Sequence, residues 1–79
     1  KLDYEAQKEA RSQEMQRQKR LEEIETEIEK LENELSDLEA EMTAEKNIDK
    51  FELLQDLKDK YQAKNNKLED LYQEWEEII

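Results

Sequence analysis

From Leu21 onward, apolar side chains return at alternating steps of three and four: Leu21, Ile24, Ile28, Leu31, Leu35, Leu38 and Met42. That spacing puts all seven on a single helical stripe, a strict heptad seam. A second seam runs Leu54, Leu57, Tyr61, then Lys64 as a polar interruption, then Leu68, Leu71, Trp75 and Ile78. The two do not join in one rod. Continuing the first seam past Met42 lands on Glu45, Asp49, Glu52, Asp56 and Asp59, and a straight coiled coil would have to bury these carboxylates without partners, a heavy cost for each. An inserted stutter or stammer does not restore the phase. The sequence therefore predicts an all-α fold: an antiparallel two-helix coiled-coil hairpin with a polar, helical N-terminal overhang.

The reversal is expected in the stretch 43–49, between a first helix ending at about residue 42 and a second covering 50–79. No glycine or proline is available to enforce it, so Asn47, which tolerates the left-handed backbone conformation, is the candidate for turning the chain. Asp49 with Glu52 three residues on reads as a capping-box-like start for the second helix. Ile48 and Phe51 would close the apolar end over the turn. Folding about this point sets Leu38 opposite Leu54, Leu35 opposite Leu57, Leu31 opposite Tyr61, Ile28 opposite Lys64, Ile24 opposite Leu68 and Leu21 opposite Leu71. Trp75 then faces Arg17, suggesting guanidinium–indole stacking, and residues 1–12 overhang without a partner.

Residue types exclude most chemistry. Glycine, proline, cysteine and histidine are all absent from the 79 residues, so there is no phosphate-binding glycine loop, no thiolate or imidazole nucleophile or base, and no ordinary zinc site. Paired acids such as Glu22/Glu23 and Glu76/Glu77 form no catalytic dyad or calcium loop, because sequence neighbours diverge on a helix. No catalytic, cofactor-binding or metal residue is expected. The longest apolar run is two residues, far short of a membrane span, and the missing cysteines suit a reducing compartment. The chain opens without an initiator methionine, which suggests a piece of something larger.

Charge divides the chain in two. Acids outnumber bases 24 to 13 overall, yet residues 1–20 hold six bases and four acids while residues 21–79 hold seven bases and twenty acids. Residues 1–20 form a basic helical lead-in continuous with the first helix, and within it Arg11, Arg17, Lys19 and Arg20 are the candidates for a phosphate-backbone contact, which needs clustered cations more than base reading. Lys58, Lys60, Lys64 and Lys67 make a second basic patch. Glu25, Glu27, Glu29, Glu32 and Glu34 lie across from it, so a structural role as interhelical partners and a register-fixing layer at Lys64 is favoured there.

The opening Lys1-Leu2-Asp3-Tyr4-Glu5-Ala6-Gln7-Lys8, the Arg/Gln-rich lead-in to Leu21, and the close Leu71-Tyr72-Gln73-Glu74-Trp75-Glu76-Glu77-Ile78 resemble the C-terminal coiled-coil domain of some F-type ATP-binding-cassette (ABC-F) ATPases. The resemblance implies a cytoplasmic parent protein with two tandem cassettes preceding this domain, whose relatives act on the ribosome during translation, some protecting it from antibiotics. It also implies a non-catalytic hairpin associated with nucleic-acid binding, rRNA or DNA. ATP and Mg²⁺ would be bound by the cassettes, since none of their motifs occurs in this chain. The alternative is a purely structural, protein-docking or dimerising coiled coil whose acidic faces meet a basic surface or another copy. In isolation the domain is expected to be a monomer or a weak dimer.

Overall fold

The computed structural model describes residues 2–79; Lys1, the first residue of the expected lead-in, lies outside the described residues. Two helices, α1 (Leu2–Thr43) and α2 (Phe51–Ile78), are joined by a short 3₁₀ turn at Glu45–Asn47 and pack side by side. The chain is an all-α hairpin, a rod 71 Å long and 14 Å across.

The heptad seams are what the helices bury. Ile24, Ile28, Leu31, Leu35, Leu57 and Leu71 are buried, and the remaining seam residues, Leu21, Leu38, Met42, Leu54, Tyr61, Leu68, Trp75 and Ile78, are all half-buried. The tightest packing lies toward the open end, where Ile24, fully shielded from solvent, Ile28, Leu31 and Leu71 form one cluster with Leu68, Trp75 and Ile78 against it. Full burial of such a side chain contributes about 1.5–3 kcal/mol, so this cluster dominates the cohesion of the pair.

The register differs from the expected one. Lys64, expected opposite Ile28, reaches Glu34 at 2.7 Å, and Trp75, expected against Arg17, donates from Nε1 to Glu25 at 3.4 Å. Arg17 does not stack on the indole. It donates from Nη1 to the Ile78 carbonyl at 3.0 Å, and its other nitrogens hold Glu14. Relative to the expectation, α2 is displaced by about one turn along α1. The reason is the repeat itself: two seams with steps of three and four match again after each step, so apolar pairing alone does not select one alignment. The displacement leaves α1 without a partner up to about Arg17 rather than residue 12.

The turn also works differently. No described residue has positive φ, so Asn47 does not reverse the chain through the left-handed region. Instead Ala44 takes an extended conformation (φ −65°, ψ 133°) that ends α1, and the 3₁₀ turn follows with Asn47 N–H donating to Ala44 at 3.0 Å and Ile48 N–H to Glu45 at 3.2 Å. Asn47 contributes through its side chain. Only 5 % exposed, it donates from Nδ2 at 2.9 Å to the Glu41 carbonyl, which also accepts from the Ala44 N–H at 3.4 Å at the end of α1. Asp49 does not cap α2. The cap position is Lys50, one residue later, and no side chain bonds the first amides. Ile48 and Phe51 do not close over the turn either; both lie more than three-quarters exposed at the tip.

Candidate functional site

The overhanging part of α1 is a bare helical surface: every residue from Asp3 to Lys19 is exposed. One side of it carries Tyr4, Lys8, Arg11, Met15 and Lys19, around a shallow depression of about 630 Å³. Tyr4 and Met15 are about 70 % exposed.

The four expected phosphate contacts divide into two pairs. Arg17 grips Glu14 at 2.8 and 3.0 Å as well as the Ile78 carbonyl. Arg20 forms a two-pronged pair with Glu74 at 2.5 and 2.9 Å and reaches Glu23 at 3.3 Å. These two arginines pin the open end of the hairpin and hold the carboxyls of Glu14 and Glu74 below the usual carboxylate range, chiefly by hydrogen bonding. Arg11 and Lys19 belong to the exposed side and enter none of the ion pairs among the described residues. Tyr4, Lys8 and Met15 escaped the sequence reading because it followed the Leu21 seam, which runs back through Arg17, Glu14, Ala10 and Gln7. The neighbouring stripe, at the same alternating spacing, was the signal that could have found them.

The hairpin body presents two grooves of opposite character. In one, of about 390 Å³, Glu27 and Glu34 are matched by Lys30, Lys64 and Lys67 beside Leu31 and Ala63, and the Lys64 hydrogen bond lowers the pKa of Glu34. Among the lysines of the second patch only Lys64 forms an ion pair with the facing helix among the described residues. The other groove, of about 300 Å³, is acidic and aromatic: Glu25, Glu29 and Glu32 of α1 stand beside Tyr72 and Trp75 of α2, with Ile28 at the base. Tyr72 donates to Glu32, which raises the phenol's pKa above its ordinary value, and Trp75 donates to Glu25. Among the described residues no basic side chain lines this second groove.

Among the described residues no group of His, Cys, Asp and Glu side chains is placed to hold a metal ion, and no helix is long and apolar enough to cross a membrane. No curated protein and no solved structure matches the chain. The family model of the ABC transporter C-terminal domain matches residues 12–78, the hairpin with the second half of the lead-in. Two leucine seams folded back on each other, with the Tyr72/Trp75 ending on the open end of α2, are thus the part the match covers, and the chain belongs to the ABC transporter C-terminal domain family.

Proposed function

We propose that this chain is the non-catalytic C-terminal arm of an F-type ATP-binding-cassette ATPase that acts in the cytoplasm on the ribosome during translation. ATP and Mg²⁺ belong in this reading to cassettes preceding the arm, and the arm contributes contact with nucleic acid, rRNA or DNA. The supporting observation is the division of charge along α1. Arg17 and Arg20 are engaged within the hairpin, whereas Lys8, Arg11 and Lys19 share one exposed side of a helix that has no partner. The body beyond Leu21 is too acidic to receive a phosphate backbone, so the contact falls on the overhang.

Replacing Arg11 and Lys19 together with glutamine tests this. Affinity for RNA and DNA should fall, and the slope of log K against log salt should flatten by about 1.4–1.8, the amount expected for two lost phosphate contacts. Unchanged affinity and slope would end the nucleic-acid reading.

A protein-docking arm is the second reading, favoured by the exposed Ile48 and Phe51 at the hairpin tip. In that case replacing both with serine weakens association of the parent protein with its partner, and the glutamine variant leaves it intact.

A further inference from the structure

A second heptad stripe runs along α1, separate from the seam that α2 covers. Its first half is Tyr4, Lys8, Arg11 and Met15; after Gln18 its second half is Glu22, Glu25, Glu29 and Glu32, all at alternating steps of four and three. In a supercoiled frame these positions share one side of the helix. The first half is basic and apolar and lies bare on the overhang. Of the second half, Glu25, Glu29 and Glu32 form the acidic wall of the groove that Tyr72 and Trp75 complete. A stripe of this kind is complementary to itself when reversed, because an antiparallel copy sets its basic half on the acidic half of the first.

We propose that a second copy of this chain docks there, the overhang of each copy lying in the acidic and aromatic groove of the other about a two-fold axis near residue 20 of α1. That register pairs Lys8 with Glu32 of the partner subunit, Arg11 with Glu29 of the partner subunit and Met15 with Glu25 of the partner subunit, and symmetry repeats each pair. The Met15 thioether then comes beside an indole, a favourable contact for a polarizable sulfur. Residues 1–20 are the basic segment of the chain and, among the described residues, the groove is lined by three carboxylates and no base, so charge as well as spacing selects this occupant. Of the residues in this contact, Lys8 and Arg11 lie outside residues 12–78, the part that matches the family model, and Met15, Glu25, Glu29 and Glu32 lie within it.

A charge swap tests the proposal in the absence of nucleic acid. Arg11 and Glu29 enter none of the side-chain hydrogen bonds among the described residues, so R11E and E29K should keep the helical spectrum of the parent chain. Sedimentation equilibrium of the 79-residue chain should show a reversible dimer, each single variant should dimerise at least tenfold more weakly, and an equimolar mixture of the two should recover the dimer as a heterodimer. A chain that stays monomeric at millimolar concentration overturns the proposal. So does a dimer that either variant leaves unchanged, or a mixture that fails to recover association.

Discussion

The two parts of α1 are built from similar residues and have opposite fates. From Leu21 to Thr43 the helix meets α2 with an apolar side chain at every seam position, and Ile24, Ile28, Leu31 and Leu35 are buried. From Asp3 to Lys19 the same seam positions carry polar residues and an alanine, and every side chain faces solvent. Helical preference is comparable in both. The difference shows that in this chain cohesion comes from the interhelical seam, whereas the overhang depends on intrinsic propensity and short-range pairs such as Glu14–Arg17, which sustain a helix only marginally in water.

The sharpest way to break that comparison is to cut into the cluster. Ile24→Ala should destabilise the hairpin by about 2–5 kcal/mol, as large-to-small changes in a packed core do, measured as a lower urea midpoint. Met15→Ala, on the overhang, should leave that midpoint in place when both are measured at concentrations too low for chains to associate. Equal effects from the two would mean that the seam is not what holds the fold.

A smaller effect is expected at the turn. Asn47→Ala removes the hydrogen bond that the buried Asn47 side chain makes to the Glu41 carbonyl, for a loss of about 1 kcal/mol. Amide exchange should quicken first at the end of α1 nearest the turn. Matched glycine substitutions probe the same contrast: each costs a helix about 1 kcal/mol locally. Ala63→Gly in α2 should lower the midpoint of hairpin unfolding, while Ala10→Gly should reduce helical ellipticity without moving it.

The smallest effects are electrostatic and depend on pH. Glu34 and Glu74 have folded pKa values depressed below the ordinary 4.5 by their bonds to Lys64 and Arg20. Their stabilisation is full above the unfolded value and is lost as pH falls through the folded one. Tyr61 and Tyr72 are the mirror case. Their phenols donate to Glu39 and Glu32 and are raised above 10.0, so their contribution is full below the unfolded value and is lost as pH rises through the folded one. Carboxyl titrations by NMR should give midpoints under 4.5 for Glu34 and Glu74. E74Q should remove the acid-side loss belonging to the Arg20 pair while leaving that of Lys64–Glu34.

Much of this architecture was legible in the chain. The acids falling in phase after Met42 forbid a straight rod, and every seam residue named from spacing is at least half-buried. The register was not legible, because alternating steps of three and four bring apolar residues into line at several offsets; the choice rests on ends and turn, where Arg17 meets the Ile78 carbonyl and Arg20 meets Glu74. The turn misled for a related reason. Asparagine offers two ways to finish a helix, a left-handed backbone or a side-chain donor, and residue type does not distinguish them. The candidate site was half legible: clustered cations were visible in residues 1–20, but which of them pair with carboxylates depends on how far α2 reaches along α1.

The central claim is that α1 and α2 lie side by side within one chain, and a distance measures it most directly. The chain has no cysteine, so cysteines introduced for Glu22 and Gln73 carry spin labels uniquely, and dilution with unlabelled chain isolates intramolecular pairs. With helix axes about 8–10 Å apart, dipolar spectroscopy should give a short, narrow distribution. A distance of about 75 Å, the length of an unbroken helix between those residues at ~1.5 Å each, would contradict the hairpin.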